Sequence, residues 1–186
     1  MQYKLTTPCT AEDLAPLKAG DTVLLSGVVY TARDQAHKRM LEALDKGEKL
    51  PFDLEGSAIY YVGPTPERPG EIIGSAGPTT SGRMDAMSPR LLDLGNKIMI
   101  GKGKRDAAVK EAVVRNGAVY LAALGGAGAL MARSVKTLEV IAWPDLGCEA
   151  VRRLTVEEMP LTVILDAHGG DLYLSGPEAY REAQVK

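Results

Sequence analysis

The chain has 186 residues, a formal net charge of −2 and hydrophobic residues at 45%. That length is one domain's worth and is enough to bury a core, while mixed acids and bases with no aromatic-interleaved basic run exclude a nucleic-acid groove. Cys9 and Cys148 are too few and too far apart for a disulfide framework or a self-contained metal or iron–sulfur site, and they fit ordinary thiols in a reducing cytoplasm.

The first residues, Met1-Gln2-Tyr3-Lys4-Leu5, lack the charged-then-apolar pattern of a signal peptide. No apolar run nears the ~20 residues that cross a bilayer, so the sequence is expected to be cytoplasmic, with no membrane partner. Residues 22–30 read as a buried strand rich in β-branched side chains. Residues 34–46 read as a helix, with Ala36, Met40, Leu41 and Leu44 at helical spacing and Gly47 as its stop. Residues 58–62 are a second strand closed by Gly63-Pro64, and a Pro/Gly-rich connection follows. Residues 84–94 read as a helix with Gly95 at its end, and residues 97–100 as a short strand. Residues 106–115 form the next helix and residues 118–121 the next strand. Gly125-Gly126-Ala127-Gly128 opens a short helix. Residues 135–143, 151–156 and 161–166 read as separate strands, with a hairpin at His168-Gly169-Gly170 returning through residues 171–174. The whole, residues 1–186, is expected to be one α/β domain. It would have a mixed sheet, covering helices and antiparallel C-terminal strands.

Polar residues gather at four strand ends or glycine turns. In Gly77-Pro78-Thr79-Thr80-Ser81-Gly82-Arg83, successive hydroxyls and flexible backbone can converge on an anion, and the arginine fork suits carboxylate or phosphate. The same composition also serves an ordinary turn. Arg33 stands where a strand meets a helix, the usual ligand edge of an α/β sheet, and has no capping duty; Asp34 has one open to it. His37 lies one turn further on, as a packing residue or a site residue. Lys102 sits between Gly101 and Gly103, where a side chain can closely approach a ligand or simply be solvated. The 125–128 turn lacks dinucleotide-fingerprint spacing. Together these cations and hydroxyls describe a receptor for a small dianion. They do not make a complete catalyst, for no Ser-His-Asp order or metal-ligand cluster is legible.

The string Gly77-Pro78-Thr79-Thr80-Ser81-Gly82-Arg83-Met84-Asp85, followed by Ile100-Gly101-Lys102-Gly103, closely resembles the iron–sulfur hydro-lyase family of class I fumarases and L-tartrate dehydratases, specifically the β subunit. The segments at residues 31–37 and 125–130 fit in order. One departure is Ala86-Met87, where many members carry an aromatic residue. The resemblance implies a swivelling β/β/α-type domain packed on an α subunit in an α2β2 assembly. That partner would hold a [4Fe-4S] cluster, and the chain alone would be inactive. It implies reversible dehydration of a 2-hydroxy dicarboxylate, malate to fumarate or tartrate to oxaloacetate. Arg33, Thr79, Thr80, Arg83 and Lys102 would line the substrate site. Thr79 would be base or proton relay, and Arg33, Arg83 and Lys102 would hold carboxylates and stabilise developing charge; Ser81 and His37 would support them, and Asp85 would fix Arg83 or cap the helix that follows. Two other readings are a phosphate-binding enzyme, disfavoured by the lack of a GxxxxGK[ST] arrangement, and a non-catalytic dicarboxylate-binding or regulatory module without a cluster-bearing partner.

Overall fold

Successive residues of a strand point to opposite faces of its sheet, and in the central strands here both rows are apolar. A sheet built that way must be covered on both sides. The chain, seen in a computed structural model describing residues 1–124 and 126–184, covers it in two ways. β1 (Gln2–Thr7), β2 (Thr22–Thr31), β3 (Ala58–Tyr60), β4 (Ile98–Gly101) and β5 (Val119–Ala122) run parallel as neighbours in that order. β7 (Val151–Leu165) lies antiparallel beside β5, and β6 (Val135–Ala142) pairs outside it, completing seven strands. β7 also pairs antiparallel with β2, which closes β2, β3, β4, β5 and β7 into a ring.

One apolar row fills the ring: Leu25, Tyr60, Ile98, Ile100, Leu121 and Val163 are all essentially inaccessible. The alternate row, Ile59, Met99 and Tyr120, packs outward. It meets Met40 of α2 (Asp34–Asp45), Leu91 of α3 (Ser88–Asp93) and Val113 of α4 (Ala107–Arg115). Each such fully buried aliphatic side chain contributes roughly 1.5–3 kcal/mol. α1 (Ala11–Leu14), α5 (Gly128–Ser134) and α6 (Leu172–Gln184) complete the element order.

Three expectations are corrected, and one strand is new. Residues 151–156 and 161–166 belong to one strand, β7. Between the pairs Gly27–Val156 and Leu25–Met159, β7 advances three residues while β2 advances two. The extra residue is a bulge, with Glu158 at φ 46°. It switches the inward row from Leu154 and Val156 to Met159 and Leu161, which breaks the alternation a sequence reading follows. The helix expected over 84–94 is a 3₁₀ turn at Ser81–Met84 and then α3; Pro89, lacking an N–H, is accommodated in the first turn of α3. The hairpin return over 171–174 shrinks to one bridge, Leu165–Asp171. There the Asp171 carboxylate accepts from the Tyr173 N–H (2.9 Å), an N-cap that starts α6 instead of a strand. β1 was not anticipated. Among the described residues, no helix is long and apolar enough to cross a membrane.

Candidate functional site

The hydroxyl loop lies on the C-terminal edge of the parallel strands. Tyr61 N–H still bonds Ile100 C=O (2.8 Å). Beyond that point residues 78–81 wedge in. Val62 bridges Pro78, Thr79 N–H donates to Tyr61 C=O (2.8 Å), Thr80 bridges Lys102, and Ser81 N–H donates to Lys102 C=O (2.8 Å). The wedge needs Gly101, since a Cβ there would sit 1.9 Å from Ser81 Oγ. Ser81 is buried, and its Oγ accepts the Lys102 N–H (3.0 Å). The Tyr120 hydroxyl lies 2.9 Å from both Ser81 Oγ and the Gly103 carbonyl. The Gly103 N–H donates to the Tyr173 hydroxyl of α6 (3.1 Å). Ser81, Tyr120 and Tyr173 therefore brace the turn that presents Lys102. The Lys102 side chain itself is exposed.

Arg83 reaches back across the edge to α2. Its Nε donates to Asp34 Oδ1 (2.8 Å), its Nη2 lies 2.7 Å from Asp34 Oδ2, and its Nη1 donates to Thr79 Oγ1 (3.3 Å). Arg33 occupies the N-cap position of α2 without capping it. The Gln35 N–H is satisfied by Glu149 Oε2 (2.7 Å) instead. Arg33 Nη2 lies 3.4 Å from Glu149 Oε1 and 3.3 Å from Cys148 Sγ, while its Nε is buried without a hydrogen-bond partner. Gly63 makes room for it; a Cβ there would meet Arg33 Cζ at 2.7 Å. The edge thus joins Arg83, Thr79 and Asp34 in one contact set and Thr80, Ser81 and Lys102 in another. Arg33 sits beside them against the turn that carries Cys148 and Glu149.

His37 and Asp85 lie beneath this surface. His37 is fully buried, with Nδ1 3.2 Å from the Arg33 carbonyl and its ring edge-on to Tyr61. Burial, reinforced by the Arg105 charge, drives its pKa down to about 4, so the imidazole is neutral. Asp85 pairs with Arg105 rather than Arg83. Its Oδ1 accepts from Arg105 Nε (2.6 Å) and its Oδ2 from the Asp106 N–H (2.7 Å). The Arg105 side chain is wholly buried between the Tyr61 and Tyr120 rings, and Nη2 donates to Ser88 Oγ (2.8 Å). Of the glycine turn at 125–128, Gly125 lies outside the described residues. Gly128 C=O accepts the Ala76 N–H (3.1 Å), and its backbone lies against Gly77, so that turn closes one wall beside the loop.

Two concavities flank the 64–75 connection. One, of about 540 Å³, is lined by Arg68, Ile72 and Arg133, and another, of about 440 Å³, by Glu67, Cys148 and Arg152. The Thr79–Lys102 cluster lines neither; it lies open on the surface. Among the described residues no three His, Cys, Asp or Glu side chains group as metal ligands. Cys9 is buried, its thiol pushed up to about 11 by burial, and Cys148 is exposed.

The fold is α/β, and its strand edge gathers cations and hydroxyls, a donor set able to bind a small anion. The model of the fumarase C-terminus family matches residues 1–176, and the chain belongs to that family. It is 42% identical over 170 residues to the "Putative L(+)-tartrate dehydratase subunit beta" of Methanocaldococcus jannaschii, covering 88% of this chain and 87% of that one. It is 33% identical over 187 residues to the L(+)-tartrate dehydratase subunit beta of Escherichia coli, covering 98% and 92%. With fumarate hydratase 2 of Leishmania major it shares 39% over 168 residues, 87% of this chain but only 29% of that longer protein.

Proposed function

We propose that this chain is the β subunit of a hydro-lyase that reversibly dehydrates a 2-hydroxy dicarboxylate, with malate–fumarate and tartrate–oxaloacetate as the candidate pairs. The observation that carries the reading is the wedge at residues 78–81. It sets Thr79 beside Arg83 and Thr80 beside Lys102 on one strand edge, two cations for two carboxylates. Family membership supports the reaction class.

The described residues do not fit a [4Fe-4S] cluster: they offer no grouped ligands, and one of the two thiols is buried. In this reading the cluster belongs to a partner α subunit in an α2β2 assembly, and this chain supplies the carboxylate grip. Arg83 and Lys102 hold carboxylates and stabilise the charge that develops when a proton leaves the adjacent carbon. Thr79 Oγ1 receives a hydrogen bond from a guanidinium, which favours its anionic form. Thr79 then relays the proton: its own hydroxyl proton passes to an acid of the α subunit in this reading, and the freed oxygen takes the proton from carbon, a role an isolated threonine performs poorly. Arg33 adds a third cation whose charge is partly answered by Glu149. Ser81 and His37 support from below.

The test is anaerobic assay of the chain alone and of its complex with a cluster-bearing α subunit. Fumarate is followed by its ultraviolet absorbance and oxaloacetate formation from tartrate by a coupled dehydrogenase. Turnover of either substrate by the complex and neither by the chain alone is expected. An intact-cluster complex that turns over neither, or a chain that recruits no such subunit, would sink the proposal.

A further inference from the structure

The contact between Asp34 and Arg83 occupies one edge of the guanidinium. Nε donates to Asp34 Oδ1 (2.8 Å), and Nη2 lies 2.7 Å from Oδ2 as an ion-pair contact, Oδ2 itself receiving no hydrogen bond. Only the Nη1 side and the outer hydrogen of Nη2 stay open for a ligand, and Nη1 is the atom that already touches Thr79 Oγ1. A guanidinium is a rigid planar fork, so fixing one edge fixes the direction of the other. Asp34 is itself fixed as the first residue of α2, whose start is held to the far turn by Glu149 on the Gln35 N–H.

We infer that Asp34 is a positioning residue for the hydro-lyase reaction, aiming the open end of Arg83 at the carboxylate next to the carbon that Thr79 deprotonates. This rests on the hydro-lyase reading above. Two effects of Asp34 oppose each other. Its negative charge weakens the pull of Arg83 on a dianion, while its geometry confines Arg83 to the productive direction. The first acts on ground-state binding. The second acts where reacting groups must align, and there a displacement of about 1 Å costs on the order of a hundredfold in rate. The specificity consequence is that the Thr79 end of the site reads a planar carboxylate end-on, through one guanidinium edge.

The kinetic signature follows. In the complex with the α subunit, Asp34→Ala and Asp34→Asn should lower kcat by about ten- to a hundredfold while KM stays level or falls. Arg83→Ala should lower kcat and raise KM together. The double variant Asp34→Ala/Arg83→Ala should be no slower than Arg83→Ala alone, because Asp34 acts only through Arg83. Asp34→Glu, which keeps the carboxylate one methylene further out, should recover part of kcat. Thermal unfolding of each variant separates these effects from loss of fold, and Asp34→Asn keeps the side-chain shape. If Arg83→Ala is impaired but Asp34→Ala keeps wild-type kcat, or if the two losses multiply, the positioning role is overturned while the hydro-lyase reading stands. If Arg83→Ala keeps wild-type kinetics, the carboxylate grip itself is wrong and the positioning role falls with it.

Discussion

His37 is held neutral by enclosure: it is fully buried, and its folded pKa of about 4 lies below the unfolded value of 6.5. Between those values the unfolded chain binds a proton that the folded chain refuses, so stability rises with pH through this window. On acidification the loss begins near pH 6.5, grows to about 3 kcal/mol and levels off below about 4. Several carboxylates whose folded pKa is depressed, Asp21 and Asp166 among them, also lose stability in acid. The histidine part is therefore isolated by comparison with His37→Gln. Wild type should lose more melting temperature than His37→Gln between pH 7 and 4.5; parallel pH profiles would show that His37 does not titrate as its burial requires. The local sequence singled out Thr79, Arg83 and Lys102 as candidates because glycines and strand ends mark exposed polar groups. It left Glu149 and Tyr173 hidden. Glu149 satisfies a helix start more than a hundred residues away in sequence, and a tyrosine at a helix start has no local mark of bracing a distant glycine.

Among the elements, the 3₁₀ turn Ser81–Met84, α3 and the start of α4 meet at Arg105. Its guanidinium is completely enclosed, and Asp85 answers its charge while also taking the Asp106 N–H. A buried ion pair adds little net stability, but breaking it leaves an uncompensated charge, at about 3–5 kcal/mol. Asp85→Ala should therefore lower Tm on the order of 10 °C in a chain of this size. Adding Arg105→Met should restore part of that loss, because the stranded charge is then gone. A single Asp85→Ala change of less than about 1 kcal/mol in denaturant titration would mean the pair is hydrated. This network also shows why element boundaries were only partly legible. The central strands and α2 follow clear apolar periods, so residues 22–30, 34–46 and 97–100 were read close to their observed bounds. The break at residues 85–87 is set by Asp85 turning to a partner twenty residues on, and no local period encodes that. In α6, Gly176-Pro177 argues against a helix locally, yet the helix continues through Pro177.

At the scale of the whole molecule, the ring closure decides how the site is held. β3, β4 and β5 each contribute one row to the interior cluster and the alternate row to the outer cluster under the helices. Neither layer can lose its packing without exposing the back of the other. The strand edge that carries Thr79, Arg83 and Lys102 is an outgrowth of those same strands, so local melting of the site should be coupled to the barrel. Trp143 is the sole tryptophan and a useful reporter. It packs partly buried against the outer cluster, with Arg39 over its ring, and precedes the turn bearing Cys148 and Glu149. In urea, Trp143 fluorescence and far-ultraviolet circular dichroism should follow one transition with the same midpoint, as two-state unfolding requires. A fluorescence transition at lower urea, with secondary structure intact, would overturn this coupling. It would show that the Trp143–Glu149 turn, and with it the support of Arg33, releases as a separate unit.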